Sequence, residues 1–172
     1  KSGILIKSAT ALETAHKIDT IILDKTGTIT AGKPVVTDIL PVKVTENELL
    51  AFAAGLEKLS EHPLGEAIVA AAEEKQLALL EACNYKQIPG QGFTAELAGD
   101  ECAAGNMKLL QALNVDVSSL MDQYDKLAAQ GKTPLYFLRA GELLGCIAVA
   151  DTVKATSKEA IGKLQAMGLR VL

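Results

Sequence analysis

The sequence has 172 residues, 49% hydrophobic but only 3% aromatic and without Trp, so the core has to be built from Ala, Leu, Ile and Val. That length allows one large domain or two small ones. A formal net charge of −4 with just two arginines, Arg139 and Arg170, argues against a nucleic-acid surface, which needs clustered Lys and Arg, and against a membrane-surface binder.

In chain order, residues 9–17 read as a short helix and residues 20–24 as a fully buried strand, apolar on both faces. Gly32 and Pro34 mark a linker, and residues 35–42 read as a strand. Helices are expected over 46–58 and 64–75, with Pro63 at the first position of the second, where its missing N–H costs nothing. Short strands follow at 83–88, 93–97 and 101–104, broken by "PGQG" (89–92) and "AGD" (98–100). Helices are expected at 107–113 and 118–130, then a hairpin of strands 135–139 and 143–150 around Ala140 and Gly141. A helix over 152–167 is closed by Gly168, and residues 169–172 begin another buried strand.

Both ends of the chain therefore read as α/β with parallel-type strands, and the middle as α+β with a meandering sheet. That order suggests a middle domain inserted into a split outer one. The three cysteines, Cys83, Cys102 and Cys146, are scattered without a CxxC pair and read as reduced, buried thiols. No apolar run reaches about 18 residues, so the sequence gives no membrane span. The opening "KSGILIKSAT" has too short an apolar core for a signal peptide, and the absence of an initial Met suggests a piece of something longer.

The stretch "IILDKTGTIT" (21–30) carries the chemistry. In an open α/β sheet, reactive groups gather at the carboxyl ends of strands, and Asp24 sits at such an end. A carboxylate there can act as a nucleophile. Gly27 allows a sharp turn whose N–H groups can face a phosphate, and Thr26 and Thr28 offer hydroxyls to phosphoryl oxygens. Lys25, adjacent to the nucleophile, is expected to point elsewhere. A phosphatase with an Asp nucleophile often carries a second Asp two positions on; here that place holds Thr26, which cannot shuttle a proton near neutral pH. An aspartyl-phosphate on Asp24 would persist.

"DKTGTIT" (24–30) resembles the phosphorylation signature of P-type ion-pumping ATPases. "GILIKSATALE" (3–13), "GKP" (32–34) and "SEHPLGEAI" (60–68) resemble the heavy-metal-transporting branch, and "GQG" (90–92), "GN" (105–106) and "DTVKATSKEAI" (151–161) fall in the family's order. The resemblance covers essentially the whole chain. It implies a haloacid-dehalogenase-like, Rossmann-like phosphorylation domain from residues 1–33 and 149–172, and an inserted nucleotide-binding domain over 34–148. It also implies that Asp24 takes the γ-phosphate of ATP, with Lys25, Thr26, Gly27 and Thr28 around it. Glu57, His62, Pro63, Gly90, Gly92, Gly105 and Asn106 would line the adenosine site, and Asp24 and Thr26 would hold part of a Mg²⁺ site. The family's "TGD" and "GDGxND" motifs, whose carboxylates complete that site, lie beyond the point corresponding to Leu172.

Residue physics fits these expectations. Pro63 places His62 at a helix N-cap, where the positive end of the helix favours a neutral ring that meets adenine or accepts a hydrogen bond. Glu57 could accept from an amino group, and Gly90 and Gly92 would let backbone approach the ligand. His16 reads as a helix-surface residue. The implied parent is an integral membrane ATPase, with this region on the cytosolic face and with an actuator domain and a transmembrane metal-transport domain as its own partners. "GILIKS" leans toward Cu⁺ export. The alternatives are a stand-alone nucleotide-binding or regulatory module and a soluble haloacid-dehalogenase-type phosphatase.

Overall fold

In the computed structural model, which describes residues 5–172, the chain forms two compact units: Lys1–Gly32 with Val153–Leu172, and the intervening Lys33–Thr152. Gly3 and Ile4 of the "GILIKSATALE" stretch lie outside the described residues. The elements are α1 (Ala9–Ala15), β1 (Thr20–Ile21), β2 (Thr30–Pro41), α2 (Glu46–Glu57), α3 (Pro63–Glu74), β3 (Ala82–Ile88), β4 (Gly92–Leu97), β5 (Asp100–Gly105), α4 (Met107–Ala112), α5 (Met121–Ala129), β6 (Thr133–Arg139), β7 (Glu142–Val153), α6 (Ser157–Ala166) and β8 (Arg170–Val171). This is the expected α/β architecture, with an antiparallel sheet and flanking helices in the middle of the chain.

The larger unit is built on a six-stranded sheet in the order β2-β7-β6-β5-β4-β3, antiparallel from β3 through β7. Its hairpins follow from turn chemistry. Ala98 and Gly99 between β4 and β5, and Ala140 and Gly141 between β6 and β7, all take positive φ, the pattern of the tight turns that match strand twist. Strand β7 buries side chains on both faces. Ile147 and Val149 join Leu49, Leu50, Leu56 and Ile68 of α2 and α3, while Cys146 and Ala148 join Leu109, Leu110 and Leu127 of α4 and α5. That is why its sequence is continuously apolar. Helix α2 starts in a capping box, the Thr45 hydroxyl accepting from the Glu48 N–H while the Glu48 carboxylate accepts from the Thr45 N–H at 2.8 Å. Each fully buried Leu of this core contributes about 1.5–3 kcal/mol relative to exposure.

In the smaller unit β1 and β8 pair in parallel, Thr20 with Arg170 and Ile21 with Val171, and the pairing extends through Leu23 N–H to Leu172 O at 2.9 Å. The strand expected over 20–24 is shorter and less buried than its sequence suggests. Only Thr20 and Ile21 form it, half-buried, and Ile22 is 80% exposed. Two strands make a sheet too narrow to cover both faces of an apolar run. Other differences are local. Strand β2 starts at Thr30, not Val35, and α5 is preceded by a 3₁₀ turn at Ser118–Leu120. The last helix begins at Ser157 because residues to Val153 continue β7. Cys102 and Cys146 are buried, and burial pushes the Cys146 thiol up to about 12, but Cys83 is exposed on edge strand β3. Among the described residues, no helix is long and apolar enough to cross a membrane.

Candidate functional site

The larger unit holds a cleft of about 350 Å³ between the α2–α3 junction and the β3–β5 meander. Glu57, Ser60, His62, Leu64 and Gly65 form one wall, and Tyr85, Gln87, Gly90, Gln91, Gly92, Phe93, Gly105 and Asn106 are among the residues forming the other. The sequence-expected Glu57, His62, Gly90, Gly92, Gly105 and Asn106 all lie on it; Pro63 is the first residue of α3, beside His62.

Glu57 ends α2 and is 5% exposed. Burial raises its carboxyl to about 7, against a smaller opposing effect from a hydrogen bond with the Ser60 side chain. Gly65 makes this burial feasible, since a Cβ there would collide with the Glu57 Oε2. The Ser60 hydroxyl also accepts from the His62 N–H at 3.2 Å, so the segment between the helices is fixed from both sides. His62 caps α3 with its ring, Nδ1 accepting from the Leu64 N–H at 3.2 Å. With Nδ1 engaged at the cap, Nε2 is the ring's remaining polar atom.

The glycines are explained by the protein's own backbone. Pro89 and Gly90 occupy the centre of a turn closed by Gln91 N–H to Ile88 O at 3.1 Å, with Gly90 at φ +71°, the type II arrangement. Gly92 and Gly105 are direct cross-strand partners. A Cβ on Gly92 would strike the Ala104 carbonyl and approach Gly105 Cα to 2.5 Å, and one on Gly105 would strike the Gln91 carbonyl. The close approach that demands glycine is therefore of strand to strand, and it shapes the cleft floor. Asn106 ties the two edges together. Its Nδ2 donates to Gly90 O at 2.9 Å, its Oδ1 accepts from the Lys108 N–H at 3.0 Å, and its own N–H donates to Gln91 O at 2.8 Å. Tyr85 and Phe93 add an aromatic pair, ring centroids 4.8 Å apart. The sequence reading missed Ser60, Gly65, Tyr85 and Gln91. Three of them carry a signal, as the Ser and Gly inside "SEHPLGEAI" and the middle residue of "GQG"; Tyr85 carries none.

A larger concavity of about 640 Å³ runs along β2 beside α2 and α3. Its walls carry Asp38, Glu46, Glu74 and Lys75 and no aromatic ring, and Asp38 is paired with the Lys132 ammonium at 2.6 Å.

In the smaller unit, Asp24 is exposed and extended, immediately before the tight loop Lys25–Ile29. Gly27 turns the loop at φ +76°. The sequence suggests an N–H open to a phosphate here, but the Gly27 N–H donates to the Thr30 hydroxyl at 3.1 Å, which itself donates to the Lys25 carbonyl at 3.0 Å. Two residues far along the chain brace the same loop. The Lys154 ammonium donates to Gly27 O at 2.6 Å and the Ser157 hydroxyl to Ile29 O at 2.7 Å. Both fall in the "DTVKATSKEAI" stretch, which family order singled out without assigning a role. Thr26 and Thr28 are exposed on the loop, and Lys25 contributes its carbonyl while its side chain is exposed.

Residues 18–172 match the haloacid dehalogenase-like hydrolase family. The chain is 43% identical over 171 residues to the copper-exporting P-type ATPase of Bacillus subtilis (strain 168), covering 99% of this chain and 21% of that protein. It thus spans about a fifth of the length of the curated relatives it matches. A zinc-transporting PIB-type ATPase crystallised in its E2.Pi state superposes with a TM-score of 0.80 at 32% identity, over 90% of this chain and 25% of that one. The N-domain of HMA8, a copper-transporting P-type ATPase, superposes with a TM-score of 0.58 at 34% identity, over 67% of this chain and 99% of that one. With this likeness running through both units, the chain belongs to the haloacid dehalogenase-like hydrolases and, within them, to the heavy-metal P-type ATPases.

Proposed function

We propose that the cleft of the larger unit binds ATP and that, in the intact transporter, the γ-phosphate passes to Asp24. The observation that carries this reading is the pairing, in one cleft, of a His62 ring fixed through its Nδ1 with a buried Glu57 carboxyl raised to about 7. The His62 ring, with Tyr85 and Phe93 on the cleft lining, offers apolar faces to adenine, and Glu57 accepts from its amino group. Gly90, Gly92, Gly105 and Asn106 hold the floor and rim of the cleft.

At Asp24 a carboxylate oxygen attacks the γ-phosphorus and ADP leaves, giving the aspartyl-phosphate. Lys154 and Ser157 keep the loop in place, and Thr26 and Thr28 offer hydroxyls to the phosphoryl oxygens. The exposed Asp24 carboxylate and Thr26 oxygens are hard donors suited to Mg²⁺, which prefers six oxygen ligands. They provide part of such a set, since no group of three His, Cys, Asp or Glu is placed to hold a metal among the described residues. Bound there, Mg²⁺ would neutralise phosphate charge. Without it, a carboxylate about 4 Å from one phosphate charge is repelled by roughly 4 kcal/mol at an effective dielectric near 20.

The transported ion we assign is Cu⁺, supported by the copper-exporting P-type ATPases among its relatives. The partners are the transporter's actuator and transmembrane metal-transport domains, with this region at the cytosolic face of the membrane. The test is incubation with γ-labelled ATP and Mg²⁺, followed by acid quench. The intact transporter should carry a hydroxylamine-sensitive label that Asp24→Asn abolishes, while the present chain binds ATP without accumulating label. Persistence of the label in Asp24→Asn would refute the assignment.

A further inference from the structure

Gln91 is one of the residues that line the cleft. The side-chain oxygen Oε1 of Gln91 is shielded from solvent and accepts no hydrogen bond. The backbone of Gln91 is fully engaged, its N–H on Ile88 O and its carbonyl receiving the Asn106 N–H, so the turn fixes the residue's position. A shielded acceptor without a donor is unfavourable, and the amide gains by turning toward any donor that enters the cleft.

We propose that Gln91 reads the sugar of the bound nucleotide, its Oε1 accepting a hydrogen bond from a ribose hydroxyl. This rests on the reading of the cleft as an ATP site. The donors that ATP can supply decide the partner. The triphosphate of ATP carries acceptors only, so it offers Oε1 nothing. The donors of ATP are the exocyclic amino group of adenine and the 2′ and 3′ hydroxyls of ribose. Glu57, on the opposite wall at the end of α2, takes the amino group through a carboxyl oxygen. The hydroxyls remain for Gln91, which the type II turn at Pro89 and Gly90 carries to the rim of the β3–β5 meander. A site built around a hydroxyl discriminates against the analogue that lacks it, because its own polar group is then left unpaired.

The experiment is calorimetric titration of the chain with ATP, 2′-deoxyATP, 3′-deoxyATP and purine riboside triphosphate, which lacks the amino group. It is repeated on Gln91→Leu, which removes the acceptor, and Gln91→Glu, which keeps one at similar reach. The wild-type chain should bind one of the deoxy analogues about fivefold more weakly than ATP, the size of one neutral hydrogen bond. Gln91→Leu should weaken ATP by a similar factor and abolish that discrimination, while leaving the preference for the amino group intact. Gln91→Glu should retain the ribose discrimination whatever its added charge does to overall affinity. Equal wild-type binding of ATP and both deoxy analogues overturns the proposal without any variant. Loss of the amino preference in Gln91→Leu also overturns it, by assigning Gln91 to the base. Failure of the wild-type chain to bind ATP at all removes the ATP site itself, an outcome distinct from either.

Discussion

Replacing Glu57 with Gln isolates the most perturbed acid of the cleft. The carboxyl rises from an ordinary value of 4.5 to about 7 because folding buries it. The folded state therefore holds a proton that the unfolded state has lost throughout that interval. Below pH 4.5 both states are protonated and the group costs nothing. As pH rises toward 7 the unfolded state is increasingly favoured, and above 7 the full penalty stands. At 1.36 kcal/mol per decade, this is about 3 kcal/mol of stability lost between pH 4.5 and 7. Glu57 is almost entirely buried, so little of that is screened by solvent. Gln fills nearly the same volume, does not titrate, and can still pair with Ser60. Urea unfolding of wild type and Glu57→Gln across pH 4.5–8 should give curves that nearly coincide at the acid end and diverge upward, with Gln more stable by up to about 3 kcal/mol at pH 8. If the two stability profiles run parallel over the whole range, Glu57 is not desolvated as argued, and its proposed part in nucleotide recognition loses its physical basis.

Three further outcomes are expected. His62→Ala should weaken ATP binding by about 1–3 kcal/mol through loss of the ring and its contacts, and destabilise α3 by about 1 kcal/mol through loss of the cap, read by calorimetry and thermal melting respectively. Gly92→Val should be mainly a folding defect, because its Cβ meets the Ala104 carbonyl and Gly105; a loss of at least about 3 kcal/mol is expected, and an unchanged melt with abolished ATP binding would show that this glycine serves the ligand alone. Lys33–Thr152 expressed by itself should unfold cooperatively, since its sheet and both helical layers are complete within it, and a broad, non-cooperative melt would contradict this.

The parts of this structure legible in the sequence are those governed by local rules. The capping of α3 by His62 follows from Pro63, the hairpins from Ala-Gly at 98–99 and 140–141, and the turn at 88–91 from Pro-Gly. The double burial of β7 follows from its unbroken apolar run. What the sequence hid depends on contacts between distant segments. Nothing local shows that Lys154 and Ser157 hold the loop after Asp24, more than 120 residues away in the chain. Gly92 and Gly105 read as openings for a ligand until their cross-strand pairing shows that each makes room for the other. The apolar run at 20–24 reads as a buried strand because periodicity reports what could be covered; how much is covered depends on how many strands flank it, and here one does.

The central claim, that the α2–α3 and β3–β5 cleft is the nucleotide site, is tested most directly by backbone amide NMR of the ¹⁵N-labelled chain titrated with a non-hydrolysable ATP analogue. The account predicts that the largest shifts fall at Glu57, Ser60, His62, Leu64, residues 90–93, Gly105 and Asn106. Shifts centred instead on Val36, Asp38, Leu40, Glu74 and Lys75, along the acidic concavity beside β2, or the absence of saturable shifts at millimolar analogue, would contradict it.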